Sequence, residues 1–456
     1  MSSWAATLYI ERRQLGLGAT RTFGQVYFGT PSICLILTIG GCECFNMYNA
    51  VISAANHPDP YNPYIGLFNS RSVTSLAQAG VKTDVVSPRP IAPPAGPYSE
   101  YGNIPSRHSY STYEVHYPRF TYLIPQKLFK YTVSSRSIAN RLPAYLNEHF
   151  DTPDICHAGH IHYDGYGMLP YCREHDLPLT VMGRGKILNN YDNLSWIGQQ
   201  KIAETLNYAD GILCVSNSLA DIANDIVDEP KAVVLPNGAQ PSRYPTQHRA
   251  EIKRELGIPQ DTAVVLFCGG YTKRKGINEI CEAVEDVQAE DVQFVFVGHY
   301  GDLRTELRTA LRQSSQDSYK ILWEVPPLAL RRWFAVADIF MLPSHAEGRP
   351  NTVYEAMASE TAVVASAVSG IPEQVNDGET GILIPPKDPP ALASALNRLL
   401  EDPTQRARMG AAGRERLVSK GWTWKSHGMK LAKIHESIIE DGHLPAERVD
   451  GQEITV

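Results

Sequence analysis

The chain has 456 residues, 43% of them hydrophobic and 20% charged, the balance of a globular protein of about two or three domains. A net charge of -7 excludes the basic footprint of a nucleic-acid-binding protein. No apolar run approaches the ~18 residues of a transmembrane helix, and Ile33–Ile39 lacks the flanks of a signal peptide.

Residues 1–46 hold Cys34, Cys42 and Cys44 but no sustained period, and their Gly16-Leu17-Gly18 lacks the third glycine of a dinucleotide loop. They read as a poorly ordered extension. From Asn49 strand and helix signals alternate: a strand at Asn49–Ala54, a helix at Ser70–Ala79, a strand at Lys82–Ser87. A Pro-, Ser- and Tyr-rich excursion follows over 88–118. Strands are expected again at Ile155–Ala158, Leu179–Met182, Ile212–Val215 and Ala232–Leu235. The pattern breaks at Pro236-Asn237-Gly238 and restarts, with strands at Val264–Cys268, Gln293–Val297, Ile339–Leu342, Val363–Ala365 and Ile382–Ile384. Helices fill the gaps over 276–288, 301–313, 352–359 and 389–401. Alternation of this kind implies parallel sheets covered on both faces.

The reading is α/β. A first Rossmann-like domain spans 47–238 and a second 239–422. A helix over 423–442 crosses back to the first, and a tail covers 443–456. None of the eight cysteines forms a C-x-x-C pair. No metal site is therefore assigned, and a reducing cytoplasm is the expected location.

Chemistry concentrates where Ala337–Ser344, an apolar strand-like run, meets Glu347-Gly348-Arg349-Pro350-Asn351-Thr352-Val353-Tyr354-Glu355. Asn351 or Thr352 is placed to cap the next helix, leaving its first-turn N–H groups as an anion site. A carboxylate stands at each end of this loop, Glu347 at its mouth and Glu355 one turn into the helix. The arrangement suits a ligand with phosphate in the middle and hydroxyls at both ends, such as a nucleotide sugar.

Further motifs occur in a fixed order. Pro153–Ala158 reads P-D-I-C-H-A, Tyr208–Ser216 holds A-D-G-I-L-C-V-S, and Val234–Gly238 reads V-L-P-N-G. Lys275-Gly276, Gly370–Glu373 (G-I-P-E) and Asp377–Gly381 complete the set. Together with the E-x7-E loop they resemble the GT-B glycosyltransferases, specifically the retaining family-4 type. The resemblance covers roughly 49–435 and implies two Rossmann-like domains facing a cleft. It also implies transfer of a hexose-type sugar from a UDP- or GDP-linked donor to a glycan or lipid-linked acceptor, with no cofactor. Two positions depart from the family. Gly269-Gly270 stand where Gly-Arg is usual, removing the pyrophosphate arginine. Arg184, in Met182–Lys186, stands where a histidine usually faces the donor sugar.

The resemblance assigns donor binding to Lys275, Glu347, Gly348, Arg349, Asn351, Thr352 and Glu355. Lys275 would neutralise the diphosphate, Glu347 would face the sugar and Glu355 would hold the ribose. Catalysis falls to Glu347 and Arg184, and an arginine can grip phosphate but cannot act as a base. Gly66, His157, Lys273 and Arg274 are candidates to line the cleft. A solvated Lys275 in the basic run Lys273-Arg274-Lys275, a helix-start glutamate at 355 and a buried strand histidine at 157 are the plainer alternatives. The chain has no D-x-D, which favours a metal-independent reaction. For the acceptor, Tyr98, Tyr101, Tyr110, Tyr113, Tyr117 and Tyr122 are candidate stacking platforms. Lys127, Lys130, Arg136 and Arg141, among Leu128, Phe129, Val133 and Ile138, form either a basic helix resting on the inner membrane face or an ordinary half-buried one. A nucleotide-sugar 2-epimerase and a non-catalytic glycan-assembly scaffold share the fold and remain as alternatives.

Overall fold

The computed structural model describes residues 48–91, 99–123, 129–289, 291–314 and 318–445. The extension over 1–46, and the tail beyond 445, lie outside the described residues.

The first lobe is built on an eight-stranded sheet. Its strands are β1 (Asn49–Ser53), β2 (Lys82–Val86), β4 (Arg107–Ser109), β5 (Glu114–His116), β7 (Ile155–Ala158), β8 (Leu179–Gly183), β9 (Gly211–Cys214) and β10 (Ala232–Val234), with β3 (Arg89–Pro90) and β6 (Arg119–Phe120) forming a separate short pair. The order is β10-β9-β8-β7-β1-β2-β5-β4, parallel except where β4 runs against β5. The central strands are buried on both faces, as parallel strands under helices must be. Helices α1 (Leu67–Gln78), α2 (Ser135–His149), α3 (Tyr166–His175), α4 (Trp196–Tyr208) and α5 (Asn217–Ile226) provide that cover.

The second lobe repeats the plan. Strands β11 (Ala263–Cys268), β12 (Val292–Gly298), β13 (Tyr319–Trp323), β14 (Ile339–Leu342), β15 (Ala362–Ser366) and β16 (Gly381–Ile384) form a parallel sheet of order β13-β12-β11-β14-β15-β16. Its helices are α6 (Arg249–Glu255), α7 (Ile277–Ala283), α8 (Arg304–Gln313), α9 (Pro327–Val336), α10 (Asn351–Ala358), α11 (Ile371–Gln374), α12 (Pro389–Glu401) and α13 (Pro403–Ser419). Each lobe has its own hydrophobic core.

The chain crosses between lobes twice, and the crossings touch. Ala239 N–H donates to the Trp422 carbonyl at 3.1 Å, and a Cβ on Gly238 would stand 2.4 Å from that oxygen, so the turn there requires glycine. Beyond it α14 (Trp424–Asp441) lies on the first lobe, with Leu431, Ile434 and Ile438 in that lobe's core. His427 bridges the Pro236 carbonyl at 2.9 Å and the Ser72 hydroxyl at 2.7 Å.

Several expectations need correction. The excursion over 88–118 contains β5, a member of the main sheet. Two of its tyrosines, Tyr113 and Tyr117, are buried at 7% and 2% exposure. Tyr110 and Tyr117 donate to the Pro58 carbonyl, so they support a loop rather than stack on sugars. Tyr98 lies outside the described residues. The basic helix over 127–141 is half-buried: Ile138 is in the core and Lys130 turns into the cleft, while 127 and 128 lie outside the described residues. His157 is buried in β7, 2.8 Å from the Thr180 hydroxyl and 5.3 Å, ring to ring, from His435. It seats α14 and does not line the cleft. Gly66 is at φ 62°, and a Cβ there would meet the Asn56 carbonyl oxygen at 1.6 Å. It shapes the turn into α1 and does not line the cleft.

Candidate functional site

The two lobes face each other across a cavity of about 810 Å³. On the second-lobe wall, Gly276 has φ 77° and packs so tightly on the loop after β14 that a Cβ would lie 2.0 Å from the Pro343 carbonyl oxygen. That contact sets the K-G turn against the E-x7-E loop. Lys275 Nζ consequently reaches Glu347 Oε1 at 2.5 Å, with both side chains largely buried. Arg274 approaches the same oxygen at 3.6 Å, donates to the Ala346 carbonyl and is half exposed. Lys273 is exposed. Neither Lys273 nor Arg274 lines the cleft.

The Asn/Thr cap expected for α10 is absent. Pro350 occupies the N-cap with no side-chain bond, and Asn351 Oδ1 instead accepts from Asn237 Nδ2 at 2.9 Å. The Asn351 and Thr352 N–H groups therefore meet no acceptor among the described residues, leaving the helix terminus open to an anion. Glu355, on the second turn and 5% exposed, is paired with Arg71 Nη1 of α1 at 2.9 Å. Tyr244 also faces Glu355; burial and that carboxylate push its phenol up.

Gly348 sits against Gly185 of the opposite lobe, where a Cβ would come within 3.1 Å of the Gly348 Cα. The Arg349 guanidinium does not reach for a phosphate: it lies 4.6 Å over the Trp422 ring and 3.8 Å from Glu373. Where the family carries its pyrophosphate arginine, a side chain at Gly270 would strike the Tyr300 ring at 2.3 Å. Tyr300 occupies that space. A cation that the sequence did not single out, Arg331 of α9, lines this wall without an ion pair among the described residues.

The first-lobe wall is organised differently. Arg184 follows β8, lies 4.5 Å over the Phe68 ring, and donates to the Gly159 carbonyl at 3.1 Å and to Asn237 Oδ1 at 3.2 Å. No carboxylate pairs with it among the described residues. Burial lowers its guanidinium to about 9, against the attraction of Asp164, so it stays charged at neutral pH. Nearby, Asp164 accepts from the Ser53 hydroxyl at 2.9 Å and the Ala55 N–H at 2.6 Å, and orients His160 through Nδ1 at 3.0 Å. His160 lines the cleft, and its Nε2 meets no partner among the described residues. Lys130, Lys186 and Tyr122 complete this side.

Residues 71–243 match the family described as Glycosyltransferase Family 4, and residues 248–416 match Glycosyl transferases group 1. Alpha-maltose-1-phosphate synthase of Mycolicibacterium smegmatis is 30% identical over 300 residues, 62% of this chain and 76% of that protein. The chain belongs to the glycosyl transferases group 1 family. In fold, this glycosyltransferase resembles sucrose-phosphate synthase of Thermosynechococcus elongatus, with TM-score 0.71, 21% identity, and coverage of 86% and 99% of the two chains. It also resembles Anabaena HepE solved with UDP and glucose, with TM-score 0.66, 17% identity, and coverage of 86% and 100%. The architecture is therefore GT-B, and the chain is an enzyme rather than a scaffold.

As a group 1 glycosyltransferase it brings Lys275, Glu347, Glu355, the α10 N-terminus and Arg184 into one cleft. It leaves out Lys273, Arg274 and His157. Motif reading missed His160 and Asp164, which occupy an irregular turn just after β7. Their i, i+4 spacing beyond the P-D-I-C-H-A strand was the available signal. Among the described residues no group of three or more His, Cys, Asp or Glu side chains is placed to hold a metal, and no helix is long and apolar enough to cross a membrane.

Proposed function

We propose that the enzyme transfers a hexose-type sugar from a nucleoside-diphosphate sugar, UDP- or GDP-linked, to a glycan or lipid-linked acceptor, retaining the anomeric configuration and needing no metal. The observation that carries this is the convergence of Lys275, Glu347 and the open α10 N-terminus at one point of the cleft. Bond breaking places negative charge on the departing diphosphate. Lys275 and the Asn351 and Thr352 N–H groups are fixed dipoles and charge aimed at that oxygen cluster, the arrangement that lowers such a barrier most. Glu347, held by Lys275, presents its remaining oxygen to sugar hydroxyls. Glu355 accepts from the ribose diol once Arg71 shares it. Arg184 is fixed by its two hydrogen bonds, with Nη2 left to meet a phosphate or an acceptor oxygen. That HepE holds UDP and glucose in its solved form supports the donor class.

The test is product analysis with UDP- and GDP-sugars, with and without excess EDTA. Transfer that survives EDTA, with the product anomer matching the donor by NMR, is expected. Loss of transfer restored by Mg²⁺ or Mn²⁺ sinks the metal-independent mechanism. Epimerised donor without transfer sinks the transferase reading.

A further inference from the structure

The first-lobe wall of the cleft carries four cations, Arg71, Lys130, Arg184 and Lys186, and one acid, Asp164. Their partners differ. Arg71 is neutralised by Glu355. Arg184 is tied to Gly159 and Asn237. Asp164 is taken up by Ser53, Ala55 and His160. Lys130 and Lys186 remain: neither ammonium meets a carboxylate or a hydrogen-bond acceptor among the described residues.

Lys130 is not a solvated surface lysine. It starts the helical turn Lys130–Ser134, is half-buried, and holds its ammonium 4.8 Å over the Tyr131 ring. Burial, and repulsion from Lys186, lower it to about 8. Lys186 is exposed at the rim of the same cleft, and two like charges facing one cleft favour an anion between them. The donor diphosphate is expected on the opposite wall, at Lys275 and α10, so a second anion belongs to the second substrate.

We propose that Lys130 and Lys186 form the seat for a phosphate group on the acceptor, so that the enzyme glycosylates a phosphorylated sugar or a phosphate-linked lipid in preference to a neutral glycan. This rests on the glycosyltransferase reading of the cleft and narrows its acceptor class. A phosphate ester carries about two negative charges near neutrality and three acceptor oxygens, which matches two ammonium groups acting as point charges. The phosphate anchors the acceptor, and binding energy from this non-reacting group orients the attacking hydroxyl.

The experiment is calorimetric titration of glucose 6-phosphate and of glucose into the full chain, with and without UDP, for the parent, Lys130→Ala/Lys186→Ala and Lys130→Arg. A second arm floats the protein on phosphatidylcholine vesicles with and without undecaprenyl phosphate. The parent is expected to prefer the phosphorylated ligand, or the phosphate-bearing vesicle, by at least about tenfold. The double variant should lose that preference while UDP still binds it as it binds the parent, and Lys130→Arg should keep most of it. Lysine-dependent binding of glucose 6-phosphate alone assigns a free sugar phosphate; lysine-dependent flotation assigns a lipid phosphate. Equal binding of charged and neutral probes, or a preference that survives the double substitution, overturns the proposal. Failure of UDP to bind the parent counts instead against the donor reading, and the titrations without UDP still decide the phosphate seat.

Discussion

The two walls of the cleft are built on opposite principles. On the second-lobe wall the motif charges are paired across short distances, Lys275 with Glu347 and Glu355 with Arg71 of the facing wall, and only Arg331 of its lining cations has no ion pair among the described residues. On the first-lobe wall Lys130, Lys186 and Arg184 have no carboxylate partner among the described residues, and Lys130 and Arg184 lie over the Tyr131 and Phe68 rings. A paired wall keeps one geometry whatever the acceptor, which suits a donor common to a large family. An unpaired wall takes its order from the ligand that arrives, which suits the substrate by which members differ.

The sharpest way to break this contrast is at Lys275. Lys275→Ala removes the charge proposed to face the leaving group and leaves Glu347 buried without its closest partner. Turnover should fall by roughly two to three orders of magnitude, the scale of one lost electrostatic stabiliser. A loss under tenfold in initial-rate assays would place the diphosphate elsewhere.

Arg184→Ala should cost less, about one to two orders of magnitude, since it removes one charge-assisted contact of about 1.5–3 kcal/mol. Its melting temperature should move by no more than about 2 °C. Parallel loss of fold and activity would make Arg184 a brace between β8 and Asn237.

A third prediction concerns the seat of α14 rather than the walls. Burial lowers His427 to about 4 and His435 to about 3, from an ordinary 6.5. Both are neutral in the fold, whereas the unfolded chain takes up protons below about 6.5. Their stabilising contribution is full above that pH and is lost as pH falls from 6.5 toward 4. Urea unfolding at pH 5 should show about 2 kcal/mol less stability per histidine than at pH 7. His427→Gln should remove roughly one histidine's share of that dependence, and an unchanged pH profile would deny the burial.

The smallest effect is expected at Lys273. It is exposed and away from the cleft, so Lys273→Ala should change kcat/KM by less than about twofold and stability by about 0.5 kcal/mol or less. A larger loss would widen the donor wall to include it.

The same contrast explains what the sequence revealed. Most strands of both sheets were legible because parallel strands buried on two faces leave continuous apolar runs, and Ile155–Ala158 and Ile339–Leu342 match residue for residue, whereas the three-residue strands β4 and β5 were hidden in the excursion over 88–118. β13 was missed because Tyr319–Trp323 is an edge strand, largely half-buried, without such a run. α13 was missed because Gly410 and Gly413 dilute its helical period. Gly410 is required there, since a Cβ would sit 2.0 Å from the Glu360 carbonyl oxygen. The donor wall was legible because one nine-residue loop and one K-G turn hold most of its chemistry. The first-lobe wall draws on Phe68, Lys130, His160, Asp164 and Lys186 from separate segments, which only the folded chain assembles. Arg349 and His157 show the limit of motif transfer: one guanidinium faces Trp422 and one imidazole faces α14.

The central claim is that the E-x7-E loop is the reaction centre, with its two glutamates serving different stages. Steady-state kinetics of Glu347→Ala and Glu355→Ala with a turned-over nucleotide sugar tests it most directly. Glu355 is proposed to contact a part of the donor far from the breaking bond, so its loss should raise the donor KM by about tenfold with a smaller change in kcat. Glu347 is proposed to face the sugar where charge develops, so its loss should lower kcat by roughly two to three orders of magnitude. A Glu347→Ala enzyme with near-normal kcat would contradict the assignment of this loop.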